Sequence, residues 1–258
     1  MPAPLKGLKE DSLKLPTQKS QPCSTLEELI IFLYGREKIG KSALLSHFED
    51  ALFIMFEPGA KALSIFKVEC LTWVDFKAYI KLLHADTRYR TIVIDTIDIC
   101  YRLCLEYVIK FKLAGQHPSE EKYGKGWDAL KDEFQKTIAE IGKLGKGVVF
   151  ISHDTEREIK KLGGGAYDVI CPSLANAARN IIEPMADIFA YYHYDADGKR
   201  KLKIVGDSES MGGTRVKEAG FFKGVDEIDM GSSSLEAYNN FVAAFNNKPV
   251  KTGAKKRV

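Results

Sequence analysis

A short segment near the start of the chain, residues 35–42, constrains the fold more than any other feature. It reads Gly-Arg-Glu-Lys-Ile-Gly-Lys-Ser and directly follows the apolar run 29–34. This is the pattern G-x-x-x-x-G-K-[ST], which is typical of a loop that holds phosphate groups between a strand and a helix. Glycines let successive backbone N–H groups point at one anion, and the following helix adds its positive end. The segment therefore predicts an α/β fold with a phosphate site after its first strand.

The pattern also predicts roles for the residues of this loop. The Lys41 ammonium is expected to reach the β- and γ-phosphates of a nucleotide, and the Ser42 hydroxyl is expected to bind Mg²⁺. The expected cofactors are therefore ATP and Mg²⁺. Further contacts to the phosphates are expected from the rest of the loop and the residue after it, namely Gly35, Arg36, Glu37, Lys38, Ile39, Gly40 and Ala43.

The composition is that of an ordinary globular chain. Its 258 residues are enough for one large α/β domain, and 45% of them are hydrophobic and 28% charged. No apolar run approaches the ~18 residues of a membrane span. The five cysteines form no C-x-x-C pair, which argues against a zinc site or a disulfide framework. We therefore expect a cytoplasmic protein with reduced thiols and no membrane partner.

Composition shifts divide the chain into three segments. Residues 1–24 are rich in Lys, Pro, Ser and Gln and are predicted to form a flexible arm. Residues 25–246 carry the nucleotide motifs and are predicted to form one ATPase domain. Residues 247–258 are predicted to be a flexible basic tail, with five basic and no acidic residues from Lys248 onward. Two interpretations of the tail stay open: it binds DNA phosphates, or it is a solvated end.

Two further apolar runs end in a carboxylate. The run 51–56 is followed by Glu57, and the run 91–94 is followed by Asp95. In open α/β folds the carboxyl ends of the strands face the ligand. Asp95 is therefore expected to hold Mg²⁺ through its water shell. For Glu57 two interpretations stay open: it orients or deprotonates the attacking water, or it is an ordinary charged residue at a turn.

A later buried run, 147–152, precedes His153. This histidine either senses the γ-phosphate or is a hydrogen-bonded structural residue. The polar stretch 154–174 that follows contains three consecutive glycines and is predicted to be a long loop. Such a loop suits coupling of the nucleotide state to something bound outside.

Another polar loop is predicted at residues 114–126. It places Tyr123 between Lys122 and Lys125, and an aromatic ring beside cations suits stacking on a single nucleic-acid strand. Trp127 lies at helical spacing with later apolar residues and is predicted to be a core residue rather than a platform for base stacking. Nearer the C-terminus, the runs 187–194 and 201–205 predict a hairpin.

In this order, the elements of residues 29–245 resemble those of the RecA-like ATPases, especially the phage ATP-binding recombination proteins implicated in single-strand annealing. Residues 53–57 resemble the RecA segment whose terminal glutamate activates water. Residues 150–153 resemble the sensor strand, although RecA itself has Asn-Gln where this chain has Ser-His. The resemblance implies a RecA-like P-loop core with a mainly parallel central sheet, helices on both faces and a late antiparallel hairpin.

The resemblance also implies a function. It implies an ATP-hydrolysing DNA recombination protein that assembles on single-stranded DNA and promotes annealing or strand exchange, in the cytoplasm of a bacterial host if a phage encodes it. ATP would lie between the subunits of a homo-oligomer, with Arg215 and Lys217 reaching the γ-phosphate of a neighbour. By this resemblance segment 154–174 would face the DNA, and the aromatic and basic residues of segments 114–126 and 248–257 are the other expected contacts. Two alternatives stay open: an AAA-type loader or remodelling ATPase acting on protein partners, and a small-molecule kinase.

Overall fold

The computed structural model describes residues 15–21, 23–160 and 163–250. In these ranges the strands are β1 (Ile30–Gly35), β2 (Ala51–Met55), β3 (Phe66–Glu69), β4 (Thr91–Asp95), β5 (Gly147–Ser152), β6 (Asp154–Lys160), β7 (Ala166–Pro172), β8 (Ile188–Tyr194), β9 (Arg200–Lys203), β10 (Gly213–Thr214) and β11 (Glu227–Asp229). The α-helices are α1 (Lys41–Leu45), α2 (Trp73–Leu83), α3 (Ile97–Phe111), α4 (Lys125–Gly142), α5 (Asn176–Ile182) and α6 (Ser234–Phe245).

A sheet of nine strands forms the centre of the described fold, in the order β11-β9-β8-β1-β5-β4-β2-β3 with β10 beside β8. From β8 to β3 the neighbouring strands run parallel, whereas β9, β10 and β11 pair antiparallel. Every residue of β2, β4 and β5 is buried, because helices cover both faces of a parallel sheet. Strand β2, which follows the phosphate loop in the sequence, is not adjacent to β1 in the sheet. Strands β5 and β4 lie between them.

Two hydrophobic cores flank this sheet. On one face the sheet packs against α2, α3, α4 and α5, with Trp73, Phe76 and Phe134 among the largest buried side chains. On the other face α1 and α6 contribute Leu44 and Phe241. The predicted fold is therefore confirmed: a mainly parallel central sheet with helices on both faces, and a late antiparallel hairpin formed by β8 and β9.

The prediction of a long loop at 154–174 was wrong. Strands β6 and β7 form a separate two-stranded antiparallel sheet, in register from Asp154 with Pro172 to Lys160 with Ala166. We call this hairpin the arm. Strand β6 is mostly charged and β7 is mostly apolar, and Gly164 and Gly165 near the tip have φ of +90° and +82°, which suits a tight turn. The glycines that suggested a loop therefore mark the turn of a hairpin.

Segment 114–126 contains two short 3₁₀ turns, Pro118–Glu120 and Lys122–Gly124. The prediction that Trp127 lies in the core was wrong, because 47% of its surface is exposed. Gly126 is the buried residue of this turn: a Cβ there would lie 2.6 Å from the backbone of Pro118. Close packing of Gly126 therefore turns the indole outward, edge-on to His117.

The terminal predictions concern residues that mostly lie outside the described ranges. The N-terminal segment 1–24, which was predicted to be flexible, overlaps the described residues only at 15–21 and 23–24, where every side chain is exposed. The predicted basic tail overlaps them only as far as residue 250. Among the described residues, no helix combines the length and the apolar character that crossing a membrane requires.

Candidate nucleotide-binding site

The phosphate loop leaves the sheet at the end of β1, beside β8. Gly35 pairs with Tyr192, and a Cβ at Gly35 would clash with the Tyr192 carbonyl. Lys38 and Gly40 have φ of +60° and +112°, so the backbone curls in the left-handed region. Helix α1 (Lys41–Leu45) has only one turn. The amides of the curled loop, more than a long helix dipole, therefore provide the anion site.

Lys41 lies at the centre of this loop and is only 6% exposed. Its Nζ donates hydrogen bonds to the carbonyl oxygens of Gly35 at 2.5 Å and Arg36 at 3.0 Å, and it lies 3.5 Å from Nδ1 of His153. Burial lowers the pKa of Lys41, and the negative charge of Asp95 acts in the opposite direction. The loop thus holds its ammonium group where a bound phosphate would need it.

Ser42 and Asp95 meet across the edge of the sheet. The Ser42 hydroxyl donates a hydrogen bond of 2.6 Å to Oδ2 of Asp95, whose side chain is buried. Burial raises the pKa of Asp95, while the bond from Ser42 lowers it and the nearby charge of Glu57 raises it. One hydroxyl and one carboxylate oxygen suit Mg²⁺, which takes few protein ligands and keeps water and phosphate oxygens. Accordingly, the described residues contain no group of three or more carboxylates, histidines or thiols arranged around a metal.

Glu57 and His153 complete one side of the same cavity. The cavity has a volume of about 510 Å³ and is lined by loop residues together with Glu57, Asp95 and His153. Nε2 of His153 lies 3.7 Å from Oε1 of Glu57. His153, at the end of β5, thus contacts Lys41 through Nδ1 on one side and faces Glu57 through Nε2 on the other. The structure thus brings together five predicted residues: Lys41, Ser42, Glu57, Asp95 and His153.

Arg215 and Lys217 do not join this cavity. Thr214 pairs with Ile188 at the start of β8, whereas Tyr192 of the same strand reaches the loop. Four residues of strand separate these positions, or roughly 13 Å. Arg215 donates to the carbonyl of Pro184 at 2.5 Å, and Lys217 pairs with Asp226 at 2.5 Å. Arg215 therefore lies at the opposite end of β8 from the loop of its own chain, and Lys217 is likewise absent from the lining of the cavity.

Sequence reasoning missed one contact at the base of the arm. Thr96 is the N-cap residue of α3, and Asp98 lies in the first turn of this helix. Its Oδ1 accepts hydrogen bonds from Ser152 at 3.1 Å and Ser173 at 2.5 Å. Asp98 therefore links helix α3 to Ser152, just before the arm, and to Ser173, just after it.

Arg200 is a second residue that no motif indicated. It begins β9, and a Cβ built on Gly40 would lie 3.5 Å from its Nη1. A single arginine in a hairpin belongs to no sequence motif that would indicate a phosphate contact. Only the pairing of β9 with β8, and of β8 with β1, could have placed it beside the loop.

The sheet order, the curled loop and the acidic residues at neighbouring strand ends define a P-loop ATPase with a RecA-like arrangement of strands. A family model described as AAA domain (AAA_24) matches residues 27–216. The chain belongs to this AAA domain family, and the predicted resemblance to RecA-like P-loop ATPases is confirmed.

Individual relatives are more distant. The SPbeta prophage-derived uncharacterized protein YorG of Bacillus subtilis (strain 168) is 26% identical over 168 residues, which cover 62% of this chain and 52% of that protein. The chain thus spans about half the length of this curated relative. Among solved structures, the KaiC-like protein PH0186 of Pyrococcus horikoshii OT3 is similar with a TM-score of 0.43 and 14% identity, over 73% of this chain and 83% of that one.

Proposed function

We propose that this chain is an ATP-dependent DNA recombination protein that assembles on single-stranded DNA and promotes annealing or strand exchange. The observation that carries the proposal is that the nucleotide cavity and two projecting segments share one edge of the sheet. The arm begins directly after β5, which ends in the cavity at His153. Helix α4 ends five residues before β5 begins, so its first residues lie toward the edge where β5 ends.

The cavity residues fit the tasks of ATP hydrolysis. The amides of the loop and Lys41 would bind the phosphates, and Ser42 and Asp95 would hold Mg²⁺. When bound, Mg²⁺ supplies positive charge that offsets the charge of the phosphate oxygens. Glu57 would orient a water molecule and accept its proton. His153, between Lys41 and Glu57, would contact the γ-phosphate. Because the arm begins at the next residue, a shift of His153 on nucleotide binding would move the arm.

The segment around Tyr123 supports a single-stranded partner. Tyr123 is 93% exposed, and its backbone lies in the left-handed region at φ +59°. Lys122 and Lys125 flank it, and the half-exposed indole of Trp127 follows on the first turn of α4. Stacking of a base on such a ring contributes about 1–3 kcal/mol and tolerates any sequence. We propose segment 114–126 as the first contact with DNA.

The arm offers less to DNA phosphates than its sequence suggested. Arg157 turns back to the base of the arm, where it donates to the carbonyls of Ser173 and Leu174 and to the side chain of Asn176. The exposed side chains of its strands include Glu156 and Glu158 as well as Lys160. We therefore propose that residues 154–174 act mainly by moving with the nucleotide state, and that the tail 248–257 adds a basic contact.

The placement of Arg215 and Lys217 supports a homo-oligomer with ATP between subunits. Because Arg215 lies at the opposite end of β8 from the loop and neither cation lines the cavity, the two could act on a nucleotide only from a neighbouring copy. Arg215 is 57% exposed, so its guanidinium is open to a neighbour although Nη2 donates to the Pro184 carbonyl and Nε lies 3.8 Å from Oδ1 of Asp187. We propose that both cations stabilise the γ-phosphate of the adjacent subunit.

The proposal is tested by measuring ATP turnover and particle size with and without single-stranded DNA, with duplex DNA as the control nucleic acid. We expect single strands to stimulate turnover and to enlarge the particle in the presence of ATP. Lys41→Ala should abolish hydrolysis, and near-normal turnover in this variant would contradict the loop assignment. Turnover that ignores DNA would instead favour an ATPase acting on protein partners.

A further inference from the structure

Arg200 is a cation fixed beside the phosphate loop by a neutral anchor. Its Nε and Nη2 donate hydrogen bonds of 3.2 and 3.1 Å to the carbonyl oxygen of Gly231, just beyond β11. Its third guanidinium nitrogen, Nη1, faces Gly40 at van der Waals distance from where a Cβ would be. Two of the guanidinium nitrogens therefore bind Gly231, and the third points at the phosphate loop.

The charge of Arg200 is not balanced by a neighbouring carboxylate in the described part of the chain. The adjacent lysines are paired: Lys199 lies 3.5 Å from Asp197, and Lys201 lies 3.2 Å from Asp229. Among the ion pairs of the described residues, none includes Arg200. Its close neighbours, the Gly231 carbonyl and the Tyr192 hydroxyl, are both neutral, so this half-buried arginine keeps its full charge for an external anion.

The position of Arg200 relative to the loop indicates which part of a nucleotide it meets. Glu57, Asp95 and His153 lie at the ends of strands on one side of β1, toward β5, β4 and β2. Arg200 lies on the other side, beyond β8. A triphosphate whose γ-phosphate is next to Glu57 must extend away from it along the loop. Its α-phosphate end therefore points toward Arg200.

We propose that Arg200 binds the nucleotide of its own subunit at the α-phosphate end, through Nη1. The inference rests on the proposed nucleotide binding and adds a residue to that site. The two bonds to Gly231 fix the guanidinium before the ligand arrives, so little side-chain freedom is lost on binding. The α-phosphate does not react during hydrolysis. Arg200 therefore stabilises the bound ground state and the transition state equally, which affects affinity and not kcat.

The test compares Arg200→Gln with wild type by calorimetric titration of MgATP and MgADP and by steady-state hydrolysis. Glutamine keeps an N–H donor for the Gly231 carbonyl but removes the charge. Loss of a charge-assisted hydrogen bond predicts roughly ten-fold weaker affinity for both nucleotides. We expect a KM raised by a similar factor and a kcat within about two-fold of wild type. Lys199→Gln, one residue away and paired with Asp197, is the matched control and should bind as wild type.

Unchanged ADP affinity in Arg200→Gln would overturn the inference, and so would a loss confined to ATP, because that places the contact at the γ-phosphate. If Arg200→Gln does not fold, Arg200→Lys supplies the test: it keeps the charge but loses the forked anchor. It should bind both nucleotides more weakly than wild type, and wild-type affinity would overturn the inference. Wild-type protein that binds no nucleotide would overturn the proposed function as well, so the two failures are distinguishable.

Discussion

The hydroxyl of Ser42 donates a 2.6 Å hydrogen bond to Oδ2 of Asp95, which joins the phosphate loop after β1 to the end of β4. The two residues come from separate motifs, and β5 stands between their strands. Two oxygens that approach this closely can serve one cation. The same edge carries Glu57 and His153, so the residues predicted for metal binding and for hydrolysis face a single cavity.

Glu57→Gln should leave ATP binding intact and stop hydrolysis. Glutamine has the same size as glutamate but cannot accept a proton from water, and general-base catalysis contributes about 10²–10⁴-fold to a rate. ATP affinity and turnover are measured on the same preparation. Glu69→Gln is the control, because Glu69 ends the neighbouring strand β3 and is exposed. Wild-type turnover in Glu57→Gln would make Glu57 an ordinary turn residue.

Arg215→Ala and Lys41→Ala should restore activity to each other when they are mixed. If each cavity is completed by a neighbour, a subunit with Lys41 intact beside a subunit with Arg215 intact has a complete site, although each variant alone is inactive. Turnover is measured at constant total protein while the ratio of the two variants is changed. Lys223→Ala, an exposed cation on the same part of the chain, is the control and should keep wild-type turnover on its own. Mixtures that are no more active than either variant alone would show that Arg215 does not act across subunits.

Tyr123→Ala should weaken binding of single-stranded DNA and leave ATP affinity unchanged. Loss of one stacked base predicts about a ten-fold drop in affinity, from the lower part of the range for base stacking on aromatic rings. Fluorescence anisotropy of a labelled oligonucleotide at fixed salt is the measurement. Tyr194→Ala removes another exposed ring and serves as the control. Equal affinities of Tyr123→Ala and wild type would remove segment 114–126 from the DNA path.

The ion cluster around Glu133 predicts a pH-dependent contribution to stability. Burial by itself raises the pKa of Glu133, but hydrogen bonds from Lys112, Lys77 and Trp73 outweigh it and lower the pKa to about 2. The distances are 2.6, 2.9 and 2.9 Å. Because the folded pKa lies below the unfolded value of about 4.3, the carboxylate stabilises the fold above that pH. The contribution is lost as the pH falls toward 2.

Glu133→Gln should therefore reduce the free energy of unfolding by about 2 kcal/mol at pH 7, a typical value for hydrogen bonds to a charged group. The difference from wild type should shrink as the pH is lowered below about 4. Urea unfolding at a series of pH values provides the measurement, with the exposed Glu106→Gln as control. A difference that stays constant down to the lowest pH would mean that shape, and not charge, matters at this position.

Local sequence patterns predicted those parts of the site that each lie within one short segment of the chain. The loop motif, and the apolar runs closed by Glu57 or Asp95, each lie within a few residues, and parallel strands bring their ends together. The arm escaped prediction because β6 is mostly charged and has no buried residue, and only the second half of β7 is buried, so neither strand shows the long apolar run of a central strand. Trp127 has helical spacing but packs outward because Gly126 takes the inner place.

The contacts of Asp98 and Arg200 could not be predicted for a different reason. Each depends on pairing between distant segments: Asp98 meets Ser173 across 75 residues, and Arg200 reaches Gly40 through the register of β9 on β8 and of β8 on β1. Register is set by the whole sheet, and a single sequence does not reveal it.

Gly35 has a consequence beyond the curl of the loop. A Cβ on Gly35 would lie 2.0 Å from the carbonyl oxygen of Tyr192, and Tyr192 is in turn the partner of Leu202, two residues after Arg200. Even a methyl group at residue 35 would wedge β8 outward, and β9 with it. The first glycine of the motif thus sets the distance between β1 and the hairpin of β8 and β9. Through that distance it controls how closely the Arg200 guanidinium can approach a bound nucleotide.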